Sequence, residues 1–197
     1  MTLANKITMG RLAASVALFV LLARMHVREP RTSMLLAAAL LFILVAATDA
    51  LDGYFARKYG EVSDFGRIAD PAVDKITVAG TLVFLCAMPW AWPVLKPWMV
   101  VVIVGREFLI TGLRGFVESK GIDFSADAGG KLKMIVQCCA IPMVLLHQLV
   151  AQEWPERAGL VDAVRWFTVG LVWASVVLTV WSGGDYVRKA ARRLRVA

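Results

Sequence analysis

The sequence contains few residues that bind soft metal ions or form covalent cross-links. Only three cysteines and two histidines occur among its 197 residues. Cys86, Cys138 and Cys139 all lie in apolar segments, and the adjacent pair would point to different faces of a helix. A zinc site needs paired ligands at short intervals, and that spacing is missing here. We therefore interpret the cysteines as small buried residues without a metal or a disulfide.

Charged residues are also scarce, at 19%, whereas 59% of the residues are hydrophobic and the mean hydropathy is +0.66. This composition is too apolar for an ordinary soluble domain, although a bundle of wholly buried helices is the soluble alternative. The first apolar segment is short and spans a membrane only if its helix begins near Thr8 and includes Arg11. About six segments are typical of membrane helices: Leu12–Ala23, Ser33–Thr48, Ile76–Leu95, Pro97–Gly105 continuing into Arg106, Met134–Gln152 and Trp166–Gly184.

Signals for processing or for further domains are missing as well. The opening MTLANKITMGR has no small-residue cleavage site after an apolar core, so we expect nothing to be removed. No internal repeat, low-complexity linker or second domain is visible. The sequence predicts one integral-membrane domain over residues 1–197, all-α and polytopic, with six transmembrane helices and a short N-terminal interfacial helical start.

The net charge of +7 is concentrated near the ends of the apolar segments. A basic C-terminus, together with Lys6 and Arg11, places both termini in the cytoplasm by the positive-inside rule. Arg24, Arg28 and Arg31 disagree with that rule, since they would lie outside. Contact with anionic lipid explains the basic C-terminus better than nucleic-acid binding does, because no nucleic-acid-reading domain accompanies it.

Two pairs of aspartates, Asp49 with Asp52 and Asp70 with Asp74, lie in the stretch DALDGYFARKYGEVSDFGRIADPAVDK that follows the second apolar segment. Asp49 and Asp52 are three residues apart, and Asp70 and Asp74 are four apart, so each pair shares a helix face. Four anions at membrane-helix ends repel one another unless cations lie between them. Oxygen ligands without histidine or cysteine suit Mg²⁺ or Mn²⁺, and four carboxylates can hold two ions. The alternative interpretations of the aspartates are that they cap helices, pair with nearby basic residues, or form the cation site of a transporter or channel.

Small residues surround the acidic pairs. Gly53, Ala56 and Gly66 allow either a bulky ligand or a neighbouring helix to lie against the backbone. Arg57 is placed to meet a phosphate or to extend to the membrane interface.

The whole pattern, D-x2-D-G-x2-A-R-x8-G-x3-D-x3-D, resembles the signature of the CDP-alcohol phosphatidyltransferases at every fixed position. The resemblance implies six membrane helices, a CDP-linked lipid substrate, an alcohol acceptor and release of CMP. It implies that Asp49, Asp52 and Asp70 bind divalent metal, and that Asp74 binds metal and acts as general base. It also implies a CDP site that includes Asp52, Gly53, Ala56, Arg57 and Gly66.

The N-terminal segment is similar to the polar opening that precedes the first membrane helix in this family, near the nucleotide. Asn5 and Thr8 are therefore candidates for the CDP site, with Thr8 preferred. A polar helix start with positive-inside charge is the alternative interpretation.

Polar residues in the fourth segment and at the start of the fifth predict an anion pocket, although a basic juxtamembrane rim is the simpler interpretation. The stretch REFLITGLR resembles the corresponding region of bacterial phosphatidylglycerophosphate synthases, which implies CDP-diacylglycerol as donor and glycerol 3-phosphate as acceptor. The candidate residues for the acceptor phosphate are Arg114, Lys131, Arg106, Lys133, Thr111 and Arg188.

Acceptors of sibling enzymes, namely phosphatidylglycerol, inositol phosphate or serine, remain alternatives. A transporter would place its acids near the bilayer midplane between repeats, and neither feature is visible here. The resemblance further implies a homodimer, and we expect a bacterial inner membrane protein with its active site on the cytoplasmic side.

Overall fold

The described part of the chain is helical throughout. The computed structural model describes residues 3–59, 64–121 and 128–196, and side chains within residues 8–48, 72–121 and 129–194. These residues contain six α-helices and one short 3₁₀ turn, Pro89–Ala91, so the predicted all-α class is confirmed. The helices are α1 (Leu3–Arg24), α2 (Thr32–Tyr59), α3 (Asp64–Cys86), α4 (Pro97–Ser119), α5 (Ala128–Glu153) and α6 (Ala158–Val196).

The first and third helices differ in length from the predicted segments. The expected N-terminal start is continuous with the first apolar segment, since α1 runs unbroken from Leu3 and includes Arg11. The helix predicted over Ile76–Leu95 is wrong at its C-terminal end, because α3 ends at Cys86. Pro89 and Pro93 follow that end, and proline lacks the backbone N–H that a continuing helix needs.

Both ends of α4 are set by local sequence. Pro97 occupies the first turn, where its missing N–H costs nothing, and Lys96 before it is extended. At the other end, Gly121 has a φ of 75° and its N–H donates to the Glu118 carbonyl oxygen over 2.9 Å. A residue in the left-handed conformation commonly ends a helix. Because α4 ends here, Arg106, Glu107 and Arg114 lie in its last four turns.

The helices pack in an order that differs from their order along the chain. Helix α5 contacts α2 and α6, α6 also contacts α4, and α1 contacts α2 and α3. The core between them is apolar, and its largest fully buried side chains include Phe42, Leu85 and Leu145. A smaller apolar cluster of Ile110, Val117, Tyr186 and Ala190 joins α4 to α6 next to the site described below.

Large apolar side chains cover much of the outer surface. Val101, Phe108 and Trp166 are 71%, 75% and 65% exposed, a pattern that suits contact with lipid better than contact with water. Two of the described helical stretches, Gly129–Glu153 and Ala158–Leu194, are long and apolar enough to cross a membrane, and Thr32–Thr48 is a shorter apolar stretch.

Candidate active site

The four aspartates of the motif lie on two consecutive helices. Asp49 and Asp52 are in the second half of α2, and Asp70 and Asp74 are in the first half of α3. Because only residues 60–63 separate these helices, the end of α2 and the start of α3 lie at the same end of the molecule. The Asp74 side chain is described and half-buried. The side chains of Asp49, Asp52 and Asp70 lie outside the described residues, as do the side-chain positions of Asn5, Gly53, Ala56, Arg57 and Gly66.

A cavity of about 250 Å³ opens between α3, α4, α5 and α6. Asp74 lines this cavity together with five of the six residues predicted for the acceptor phosphate. Arg188, the sixth, is exposed and is not among the lining residues. The polar residues that line the cavity are Asp74, Lys75, Arg106, Glu107, Thr111, Arg114, Lys131, Lys133, Gln137, Ser182 and Tyr186.

One side of the cavity is a largely buried group of charged residues, here named the Glu107 network and consisting of Arg106, Glu107, Lys133 and Ser182. Arg106 Nη1 donates to Glu107 Oε1 over 3.1 Å, and Lys133 Nζ donates to the same oxygen. Arg106 Nη2 donates to Ser182 Oγ on α6 over 3.1 Å. A single carboxylate therefore pairs with two cations, one buried and one largely buried, and reduces the cost of removing their charges from water.

The position of Arg106 depends on a glycine in α6. A Cβ atom built on Gly183 would lie 3.0 Å from Arg106 Cγ. Glycine thus lets the arginine stem lie directly against the backbone of α6, where its guanidinium reaches Ser182. Arg106 Nε is buried and has no hydrogen-bond partner in the described part of the chain.

A second polar chain crosses from α3 to α4. Lys75 Nζ donates to Thr111 Oγ1 over 2.7 Å, and the Thr111 hydroxyl donates to the Glu107 carbonyl oxygen over 2.7 Å. Lys75 directly follows Asp74 along the chain. The lysine therefore ties the helix of the proposed base to the helix that carries three of the six predicted acceptor residues.

Arg114 and Lys131, the other predicted cations that line the cavity, lie at its exposed rim. Arg114 Nε donates to Glu118 Oε1 over 2.7 Å within α4, and both side chains are about half exposed. Lys131, near the start of α5, is exposed as well. An exposed ion pair such as Arg114–Glu118 is worth little in water, so an incoming anion competes easily for the arginine.

Polar residues in the first half of α1, a helix that packs against α3, are buried. Thr8 and Arg11 are each 3% exposed, and neither lines the cavity. One turn further on, Ser15 Oγ lies 2.6 Å from Thr77 Oγ1 on α3. The Ser15 hydroxyl also contacts the Arg11 carbonyl oxygen, and the Thr77 hydroxyl contacts the Val73 carbonyl oxygen. This pair fixes α1 against the turn of α3 that follows Asp74.

Glu107 was not a predicted site residue, although its spacing places it on one face of α4 with Thr111 and Arg114. Sequence reasoning also missed four other polar residues of the cavity: Lys75, Gln137, Ser182 and Tyr186. The adjacency of Lys75 to Asp74 was a usable signal. The other three lie in or beside long apolar runs of α5 and α6, and nothing in their spacing connects them with α4.

Together, the fold and the site define a helical protein with at least two helices suited to a membrane and a polar, mostly cationic pocket beside a carboxylate. The family model described as CDP-alcohol phosphatidyltransferase matches residues 1–181. The chain therefore belongs to the CDP-alcohol phosphatidyltransferase family and is a transferase. This confirms the resemblance found in residues 49–75.

Curated relatives extend over almost the whole chain. It is 35% identical to a CDP-diacylglycerol–glycerol-3-phosphate 3-phosphatidyltransferase of Bacillus subtilis, with 99% of this chain and 98% of the relative covered. It is 34% identical to a probable phosphatidylglycerophosphate synthase of Mycobacterium tuberculosis, over 96% of this chain and 82% of the relative. It is also 31% identical to a CMP-forming cardiolipin synthase of Oryza sativa subsp. japonica, over 98% of this chain and 59% of the relative.

Proposed function

We propose that the protein transfers a phosphatidyl group from CDP-diacylglycerol to a hydroxyl of glycerol 3-phosphate, giving phosphatidylglycerol phosphate and CMP. The observation that carries this proposal is that one cavity is lined by both Asp74 and five predicted acceptor residues. The names of the Bacillus and Mycobacterium relatives support the same reaction.

The charge of the cavity suits a small phosphorylated acceptor. Five basic side chains line it, namely Lys75, Arg106, Arg114, Lys131 and Lys133, against two acidic ones, Asp74 and Glu107. Arg106 and Lys133 are held by Glu107 in largely buried ion pairs. The rim cations Arg114 and Lys131 are the better partners for a phosphate, because the ion pair of Arg114 with Glu118 is exposed. A dianion gains most from such a site, because charge-assisted hydrogen bonds are stronger than neutral ones.

The nucleotide end of the site belongs to the motif on α2 and α3. The donor set of four aspartates contains only oxygen ligands, which fits Mg²⁺ or Mn²⁺, and we propose two ions held by Asp49, Asp52, Asp70 and Asp74. When bound, such ions neutralise the pyrophosphate and stabilise the charge that develops on the leaving CMP. Thr8, Asn5, Asp52, Gly53, Ala56, Arg57 and Gly66 are the proposed contacts of CDP.

Asp74 is the proposed general base. The acceptor oxygen forms a bond to the phosphorus of the phosphatidyl group, the bond from that phosphorus to the CMP oxygen breaks, and the hydroxyl proton passes to Asp74. The cavity geometry supports this role, because an acceptor held by Arg114 and Lys131 lies in the same pocket as the Asp74 carboxylate. The chain thus supplies orientation and a proton acceptor at one place.

We further propose that all six helices cross the bacterial inner membrane, that both termini and the cavity face the cytoplasm, and that the protein is a homodimer. The outward-facing apolar side chains of α4, α5 and α6 support the membrane placement. Arg24, Arg28 and Arg31 are exposed at the opposite end of α1 from the motif, and they stay in conflict with the positive-inside rule.

An acceptor assay tests the proposed reaction. Purified protein in detergent with CDP-diacylglycerol and Mg²⁺ should release CMP when glycerol 3-phosphate is added. CMP release should stop when EDTA is added and resume with excess Mg²⁺ or Mn²⁺. Phosphatidylglycerol, inositol phosphate and serine serve as competing acceptors. Turnover with one of these and none with glycerol 3-phosphate would overturn the acceptor. CMP release that is insensitive to EDTA would refute the proposed metal dependence. Cation transport by reconstituted protein without any CMP release would refute the proposed transferase reaction.

A further inference from the structure

The two carboxylate oxygens of Glu107 have different surroundings. Both Arg106 Nη1 and Lys133 Nζ donate to Oε1. No residue in the described ranges donates to Oε2, and this oxygen is not among the fully buried polar atoms that lack a partner. Glu107 lines the cavity, so Oε2 is an accessible acceptor in a pocket that otherwise offers mainly donors.

An ionised carboxylate accepts hydrogen bonds and repels anions. Oε2 therefore selects against the phosphate of an acceptor and in favour of a hydroxyl group. Glu107 lies seven residues before Arg114 on the same helix, about 10 Å along the axis. The Glu107 carboxylate and the Arg114 guanidinium are at the ends of long side chains, which can approach each other more closely than this axial separation. The two groups therefore suit a molecule with a phosphate at one end and hydroxyl groups at the other.

The proposed acceptor has two hydroxyl groups, of which only one attacks phosphorus. In the proposed reaction Asp74 accepts the proton of the attacking hydroxyl, so the second hydroxyl needs a different hydrogen-bond acceptor. The Asp74 carboxylate is within electrostatic range of Lys133, and Lys133 is bound to Glu107. Glu107 and Asp74 also line the same cavity, so a second hydroxyl-binding group lies in the pocket of the proposed base.

We propose that Glu107 determines acceptor specificity: its Oε2 accepts a hydrogen bond from the hydroxyl adjacent to the attacking one, so that the site prefers phosphorylated vicinal diols to phosphorylated mono-alcohols. This inference rests on the proposed function. The ion pairs with Arg106 and Lys133 hold the carboxylate in place, and the substrate contact comes from the other oxygen.

The test compares three acceptors with the full-length protein in detergent: glycerol 3-phosphate, 3-hydroxypropyl phosphate, which lacks the second hydroxyl, and the analogue in which fluorine replaces that hydroxyl. We expect kcat/KM for both analogues to be about 10- to 100-fold lower than for glycerol 3-phosphate, because a site built to bind a hydroxyl rejects a molecule without the donor. Fluorine accepts but cannot donate, so the fluoro analogue should be no better than the deoxy one.

The variant Glu107→Gln keeps the size of the side chain and replaces a charged acceptor by a neutral one. Its preference for glycerol 3-phosphate over 3-hydroxypropyl phosphate should shrink about fivefold or more, since neutral hydrogen bonds are about half as strong. Asp162→Asn, which alters an exposed ion pair with Arg165 near the start of α6, is the matched control and should keep the full preference.

The outcomes separate the two proposals. If the wild-type protein releases no CMP with glycerol 3-phosphate, the proposed acceptor is wrong and this inference falls with it. If glycerol 3-phosphate is used but the deoxy analogue is used equally well, or the fluoro analogue retains the activity of the natural acceptor, only the assignment of Glu107 is wrong. These wild-type results can refute the assignment even if Glu107→Gln does not fold. If Glu107 had a purely structural role, the Glu107→Gln variant would have a kcat/KM that is lower by the same factor for all three acceptors.

Discussion

Lys75 on α3 donates a 2.7 Å hydrogen bond to the hydroxyl of Thr111 on α4. The bond begins one residue after Asp74. This polar bridge therefore joins the helix of the proposed base directly to the helix that carries Arg106, Glu107 and Arg114.

A double-mutant cycle measures the bridge. Lys75→Met and Thr111→Val each remove one partner, and each should lower kcat/KM for the acceptor. Because both changes break the same bond, the double variant should lose less than the sum of the two, with a coupling energy of about 0.5–1 kcal/mol. Additive losses would show that the two side chains act independently.

Asp74→Asn tests the proposed base. The amide preserves the shape of the side chain but cannot take the hydroxyl proton, so the rate of CMP release should fall by about 10²- to 10⁴-fold. Initial rates with saturating substrates provide the measurement, and Asp162→Asn, far along α6 from the cavity, is the control. Near-normal turnover by Asp74→Asn in correctly folded protein would refute the assignment.

Lys131→Met tests the rim of the cavity. Losing one charge-assisted hydrogen bond of about 1.4 kcal/mol should raise KM for glycerol 3-phosphate about tenfold. The KM for CDP-diacylglycerol should change little, since the lipid nucleotide is proposed to bind at the motif. Lys120, an exposed lysine just past the end of α4 that does not line the cavity, is the matched control as Lys120→Met. Equal effects of the two variants would indicate a general loss of positive surface charge instead of a specific contact.

Gly80→Ala tests the packing of α1 against α3. A Cβ atom at this position would lie 2.5 Å from the tip of the Phe19 ring, which is itself stacked on Phe84 with centroids 5.7 Å apart. We expect a loss of about 1–3 kcal/mol of stability, because the ring has to move from a packed position. Thermal unfolding in detergent gives the measurement. Gly105→Ala is the control, since no described atom outside its own stretch of α4 lies within 4 Å of its Cβ position, and it should unfold at or slightly above the wild-type temperature.

Local patterns in the sequence determined the helical class, the positions of the aspartates on α2 and α3, and the family. Each of these depends on residues at most a few turns apart, where the period of the helix decides which side chains share a face. The family signature itself spans only residues 49–75, within and between two consecutive helices.

Tertiary structure decided which of the predicted cations share a pocket and what each one binds. The contacts of Arg106 with Ser182 and of Lys133 with Glu107 join residues that are 76 and 26 positions apart. No helical period relates residues on different helices, so the sequence predicted the basic character of this region but not that Glu107 binds two of its cations through one oxygen. For the same reason, Arg188 was placed in a pocket that it does not line. Periodicity specifies the face of a helix, and only the packing of α3, α4, α5 and α6 specifies what that face meets.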